Sequence, residues 1–415
     1  MTRTKKTVRK GFDYRNCDDF TAYLNHMARQ GWHFREWRAG LVFEQGEPEN
    51  AVYSVEIFTK ADESDIRPLP ETKEFAEYCE AAGWQFVDAW RKFVVFKRIR
   101  EDAAPILTDE ERFDNIVKAE KPSVWYPLIH TLVWCLMKLS EFSYLFPQRI
   151  FSQYSLILST VWVVLFLICL LRAVHFLLWK RQCRLRMDRG LSLFFGKSQA
   201  DKWYGHLYSL VIALCALSMF LIGQRPFGLV LLAMILAMTL LSFIIARLRP
   251  DSATAGVIEI LGSSAILLGV FLAALYVDQA DKDKHQVILE PPLTFASMGI
   301  EMEEPEIHYS RESESFFGIH EYANLDYGVD YLFYDIYTTE YDWVLDKLWE
   351  EETDGKASET WEDCTDAWGA VEAFRNGAGD YLIRYEDAIW VICPSLDEPL
   401  ISEQITLAIA AIRGE

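Results

Sequence analysis

The sequence predicts a multi-pass α-helical membrane protein of about five spans, with a duplicated α+β domain at its N-terminus and a second α+β domain at its C-terminus. Three observations predict it. Long apolar runs crowd residues 123–277. A Gly-Trp motif, each copy preceded by an amphipathic helical pattern, recurs 52 residues apart, at Gly31 and Gly83. The last third of the chain is strongly acidic and alternates strand-like with helix-like periodicity.

Charge divides the 415 residues into three zones. Residues 1–122 carry 20 basic and 23 acidic side chains, residues 123–277 carry 13 and 5, and residues 278–415 carry 8 and 33, for a net charge of −20. Neither end of the chain offers the basic face that nucleic-acid binding needs, so no direct nucleic-acid partner is expected. The acidic tail reads as a solvated surface. The eight cysteines form no C-x-x-C pair, and no metal or cofactor motif appears.

The first zone reads as two copies of one unit over 1–100. Gln30-Gly-Trp-His-Phe34 returns as Ala82-Gly-Trp-Gln-Phe86. Phe20, Tyr23, Leu24 and Met27 make one helical face, and Phe75, Tyr78 and Cys79 make its counterpart. Each glycine follows the last helical turn, where a C-cap favours positive φ. Runs 32–38 with 41–44, and 84–90 with 93–97, read as strand pairs; 6–12 and 52–58 open the copies. The unit is therefore strand–helix–strand–strand, used twice. Trp32 and Trp84 read as residues closing each helix on its sheet rather than as a ligand site. No apolar run follows the basic start, so no signal peptide is predicted. Residues 101–123 read as a charged helical connector bracketed by Pro105 and Pro122.

These motifs, with the Leu-Val-Phe-Glu strand at 41–44 and the Phe-Val-Val-Phe-Lys-Arg strand at 93–98, resemble the bacterial domain-of-unknown-function family 2812. The resemblance is most specific over about residues 7–100. It implies a head domain, several membrane helices and often an outer domain, encoded beside a PadR-like winged-helix regulator. It implies no chemistry and no catalytic residues.

The membrane block, 124–277, holds runs at 154–178, 203–222, 227–245 and 256–277. A bilayer core about 30 Å thick needs about 20 apolar residues of helix. A fifth run, 124–139, is short and contains His130 and Lys138. Seven basic residues lie in 180–202, and Arg247 and Arg249 lie in the 245–256 link. The positive-inside rule puts both loops in the cytoplasm. With 124–139 crossing, the N-terminal head is cytoplasmic and the tail extracytoplasmic, in the plasma membrane of a bacterium. Glu259 and His206 are ionisable groups in or near spans and form a possible intramembrane polar site. Ala265, Gly269 and Ala273 make a small-residue stripe for helix packing. Gly190 to Gly196-Lys197-Ser198 imitates a phosphate loop, but five residues rather than four separate the glycines.

After a linker over 278–305, the tail over 306–415 reads as α+β. Runs 331–339, 368–374, 380–385 and 389–393 read as strands, 341–352 as a helix, and Ser402 as the cap of a last helix. Cys364 and Cys393 would face an oxidising space, where a disulfide is possible.

No Ser/His/Asp, H-E-x-x-H or G-x-S-x-G arrangement is present, and the chain is not expected to be an enzyme. The expected function is signalling or regulation, coupling an outer acidic domain to a cytoplasmic head, with the lipid bilayer and a cytoplasmic regulatory protein as partners. The alternative is a component of a transport or export system, which would use Glu259 and His206.

Overall fold

The computed structural model describes residues 4–144, 146–196, 200–222, 225–285, 291–354, 361–396 and 398–414. Lys197 and Ser198 of the phosphate-loop imitation and residues 286–290 of the expected linker lie outside them. The chain forms two compact units, Met1–Leu136 with Val161–Ala273, and Met137–Thr160 with Ala274–Glu415.

The first unit opens with the head. Its elements are β1 (Lys5–Val8), α1 (Cys17–Arg29), β2 (Trp32–Trp37) and β3 (Leu41–Gln45), then β4 (Tyr53–Ile57), α2 (Pro70–Ala81), β5 (Trp84–Trp90) and β6 (Phe93–Arg98). They make two antiparallel sheets of the same order, β1-β3-β2 and β4-β6-β5. The likeness extends to local detail. Gly31 (φ +78) and Gly83 (φ +97) each end a helix in the left-handed region. β2 and β5 each carry a bulge, between Phe34 and Glu36 and between Phe86 and Asp88. Phe20, Leu24 and Met27 are buried in α1, and the positions 52 residues on, Thr72, Ala76 and Cys79, are buried in α2. Tyr78, expected on that face, is 70% exposed.

Helix α1 also serves the second copy. Its Asn25 Oδ1 accepts the Tyr53 N–H at 2.7 Å, and Thr21 Oγ1 accepts the Val55 N–H at 3.2 Å. These side chains satisfy the outer edge of β4, which would otherwise present unpaired N–H groups. Trp84 is buried and donates from Nε1 to the Ala104 carbonyl at 2.8 Å. Trp32 is half-buried against the core around α1. Both tryptophans close the head structurally.

Among the described residues, six helices follow: α3 (Asp109–Tyr144), α4 (Phe146–Ile150), α5 (Gln153–Asp188), α6 (Ala200–Leu221), α7 (Arg225–Leu248) and α8 (Ser252–His285). Among the described residues, three segments are long and apolar enough to cross a membrane: Gln153–Asp188, Trp203–Leu221 and Gly228–Leu248. Ala253–Gly269 is a shorter apolar stretch. The run 124–139 is not a separate element. It continues the expected connector in one 36-residue helix containing Pro122 and Pro127. α5 likewise carries helix through Arg186, so half of the basic loop is helical. α3 lies along α5, with Val124 against Ala173 and Phe176, and Arg172 donating to the Ser123 carbonyl at 2.8 Å.

The second unit contains β7 (Glu306–Ser315), β8 (Gly318–Asp326), β9 (Tyr331–Thr338), α9 (Asp342–Asp354), β10 (Trp361–Asp363), α10 (Thr365–Trp368), β11 (Glu372–Asn376), β12 (Tyr381–Arg384), β13 (Ala388–Pro394) and α11 (Ser402–Arg413). The strands form one antiparallel sheet, β10-β11-β12-β13-β9-β8-β7. One face packs Tyr334, Ile336, Trp390 and Ile392 against Leu293, Phe295, Met298 and α11. The other packs Tyr337, Ile389 and Val391 against α9 and against Ile150 and Phe151. The domain therefore begins by Leu293, inside the expected linker. Trp368 ends α10 instead of opening a strand, and Ile401, not Ser402, is the N-cap of α11.

The Cys364–Cys393 bridge that the sequence allows does not form. Cys364 follows β10 and packs toward the α11 face, whereas Cys393 lies on β13 and packs toward the α9 face. Two strands separate β10 from β13. At about 4.8 Å per strand that is roughly twice the Cα separation a disulfide tolerates.

Candidate functional site

The first unit brings both basic inter-helix loops into the head. Glu36 and Asp88 stand just after the two bulges, 52 residues apart, so the duplication supplies a matched pair of carboxylates. Arg249, from the α7–α8 link, lies between them. Its Nη2 is 2.7 Å from Asp88 Oδ1 and its Nη1 is 3.7 Å from Glu36 Oε2. It also donates to the Ile66 carbonyl at 2.5 Å and the Ala89 carbonyl at 2.8 Å. Asp88 Oδ2 accepts the Trp37 N–H at 2.8 Å, tying the copies to each other. Arg249 holds φ +52, a left-handed conformation that strains a non-glycine residue by about 1 kcal/mol or more. Burial pushes the Asp88 carboxyl above the usual range, opposed by its bonds to Arg249.

The α5–α6 loop docks beside the start of α1. Phe195 is fully buried in the head core, and Leu193 nearly so. Asp18 Oδ2 accepts the Phe195 N–H at 2.7 Å, and the Asp18 N–H donates back to the Phe195 carbonyl at 2.9 Å. A Cβ on Gly196 would meet Asp19 Oδ1 at 2.6 Å, so a larger residue here would make the Asp19 side chain shift. Behind the contact, Arg112 of α3 binds Asp18 at 2.6 Å and Glu56 at 3.1 Å. Burial raises the Glu56 pKa, and the Arg112 charge holds the shift in check. Arg15, buried, lies 5.3 Å from the Trp179 ring centre, with its pKa lowered by burial.

A cavity of about 720 Å³ opens at this junction. Its lining includes the aromatic rings of Tyr14, Trp37, Trp90 and Phe93, with Glu120, Arg172 and Phe243. Glu120 is 4% exposed, and burial raises its pKa. The arrangement is a pair of carboxylate seats for inter-helix loops, Asp88 holding Arg249 by an ion pair and Asp18 holding Phe195 by hydrogen bonds. Among the described residues, no group of three or more His, Cys, Asp or Glu side chains stands where a metal ion could be held.

Residues 16–129 match the model of a family described as Protein of unknown function (DUF2812). The DUF2812 segment thus takes in both copies from α1 onward and the first half of α3. It contains Asp18, Glu36, Glu56, Asp88 and Arg112, while Phe195 and Arg249 come from outside it. No curated protein and no solved structure matches the chain.

The residues singled out in the sequence are not gathered into one site. Glu259 on α8 and His206 on α6 are both exposed, and no hydrogen bond or ion pair joins them. Ala265 and Gly269 are exposed and Ala273 half-buried, and a Cβ on Gly269 would meet nothing within 4 Å. The close approach on α8 is at Gly262, where a Cβ would meet Leu241 at 2.8 Å. In the sequence Arg249 is only one of the basic loop charges that mark the cytoplasmic side. The missed signal was Asp88, an acid within the otherwise strand-like run Trp84–Trp90. A carboxylate buried there demands a cation from elsewhere in the chain.

Proposed function

We propose that this protein is a regulatory membrane protein of about five spans, with its head in the bacterial cytoplasm and its acidic tail outside. The head reads the position of the spans and relays it to a cytoplasmic regulatory protein. The observation that carries this reading is the seating of both basic loops in the head, through Arg249 on Asp88 and Phe195 on Asp18. The positive-inside rule assigns those loops to the cytoplasm, and a head built around them shares their side. Of the five spans, three are the long apolar helices, and the apolar parts of α3 and α8 complete the count. A displacement of α5 or α7 of even 1–2 Å would pull on these seats, a step size typical of helix shifts in switching proteins.

Cysteines at Tyr78 and Val329, which are 70% and 95% exposed, test the sidedness. A membrane-impermeant maleimide on intact cells should label Val329→Cys, and should label Tyr78→Cys only after lysis. Labelling of both in intact cells would overturn it. For the relay, Arg249→Ala in the full chain should change what the head captures from lysate relative to the unsubstituted chain. An unchanged set of captured proteins sinks the relay while leaving the topology intact.

A further inference from the structure

The second unit carries an aromatic knob. The β7–β8 hairpin turns through Phe316 and Phe317, and Phe316 is 78% exposed. Its ring lies 5.7 Å from Tyr341. Phe317 lies 5.6 Å from Tyr341 and 5.7 Å from Trp343, which is itself 51% exposed. Residues 278–415 carry 33 acidic side chains, yet the knob's two segments, 316–317 and 341–343, contain a single charge, Asp342. Exposed clustered rings on so acidic a domain mark a surface with a partner.

The knob's base points to that partner. Ser315 Oγ donates to the Ile150 carbonyl at 2.7 Å, and Phe317 packs in the cluster that contains Ile150 and Phe151. Ile150 precedes the start of α5 at Gln153 by three residues, and α5 is the helix whose apolar segment is long enough to cross a membrane. We propose that Phe316 and Trp343 rest in the headgroup layer of the outer leaflet, so that the tail grips the bilayer surface beside the mouth of α5. The inference rests on the reading that α5 spans. The amphipathic ring of Trp343 favours that layer, the apolar ring of Phe316 suits burial about 5–10 Å into the headgroup/acyl boundary, and uncharged rings fit there where the surrounding carboxylates do not.

The test uses the full chain in phosphatidylcholine nanodiscs, spin-labelled at Phe316→Cys, at Val329→Cys as a tail control and at Leu171→Cys as a span control. Signal from the unsubstituted chain is subtracted. Leu171 is 60% exposed on α5. The label at 316 should be relaxed several-fold more by oxygen, which concentrates in lipid, than by an aqueous nickel chelate, and the label at 329 should show the reverse. If 316 behaves like 329 while 171 reports lipid, the knob is in water and the inference fails alone. A water-exposed 171 overturns the spanning reading and the knob with it. Dipolar broadening at 316 would put a second copy of this chain on the knob, which also overturns it. Phe316 is too exposed for its replacement to unfold the domain.

Discussion

The two copies of the head unit share strand order, bulge and glycine cap, yet they do different work. The first helix buries Phe20, Leu24 and Met27, and the second buries Thr72, Ala76 and Cys79 at the same positions. The larger side chains let α1 reach past its own sheet to Val55, Phe93, Phe113 and Phe195. The smaller ones hold α2 to a local core with Trp84, Val94 and Phe96. Duplication also supplied Glu36 and Asp88 at one structural position, and only Asp88 became buried. The copies thus divide the two loops between them: the start of the first copy's helix holds Phe195 through Asp18, and the second copy's β5 holds Arg249 through Asp88.

The largest effect expected separates the paired carboxylates. Asp88→Ala leaves Arg249 as a buried cation and the Trp37 N–H without its acceptor, and should destabilise the unit by about 3–5 kcal/mol. Glu36, 38% exposed and 3.7 Å from the same guanidinium, should lose under about 1 kcal/mol on replacement by alanine. Thermal unfolding of the full chain in detergent measures both. Equal losses would mean that the copies share the load and that the comparison is mistaken.

Next come the helix faces. Leu24→Ala opens a cavity where two sheets and α1 meet and should destabilise by about 2–5 kcal/mol. Cys79→Ala removes little more than one methylene's worth of buried surface, about 1 kcal/mol. Hydrogen exchange resolves the two: the first should loosen both sheets, the second only β4-β6-β5.

Much of the head was legible because its signals are local. The Gly-Trp repeat gives the helix end and strand start of each copy, and 52-residue spacing gives the duplication. Hydropathy made three long apolar helices legible, those over 153–188, 203–221 and 228–248. What remained hidden depends on tertiary partners. Tyr78 looks apolar but faces solvent, because the face of α2 is set by the small residues Thr72 and Ala76. The hairpin of β7 and β8 has little sequence signature because Glu306–Ser315 is an edge strand rich in charged and polar residues, and edges favour such residues. Arg249 could not be told from any other basic loop residue until Asp88 was seen to face it.

A smaller effect sharpens the seat itself. Asp18→Ala removes an acceptor for the Phe195 N–H and for Arg112, charge-assisted bonds together worth about 1.5–3 kcal/mol. The corresponding position in the second copy is Pro70, which holds no loop. Limited trypsin digestion should cut the Asp18→Ala chain near Arg189 faster than the unsubstituted chain, and Pro70→Ala should leave that rate unchanged. Equal acceleration by both would remove the distinction between the two helix starts.

The smallest effect is a pH slope that only the second copy should show. Glu56 on β4 pairs in register with Val94, and the equivalent of Val94 in the first copy, Val42, pairs with Thr7, which does not titrate. Burial raises the Glu56 pKa while Arg112 opposes the shift, so the folded protein keeps the proton to higher pH than the unfolded chain does. The stability that this proton brings is complete below the unfolded carboxyl pKa of about 4.3 and is lost as pH rises through the folded value. Asp88 and Glu120 are shifted in the same sense, so the informative quantity is the difference between the unsubstituted chain and Glu56→Gln. That difference should decline with rising pH by no more than about 1.4 kcal/mol per pH unit, the limit for one proton. A difference that grows with pH would mean Arg112 outweighs burial at Glu56, making the second copy's contact with α3 an ordinary favourable ion pair rather than a strained one.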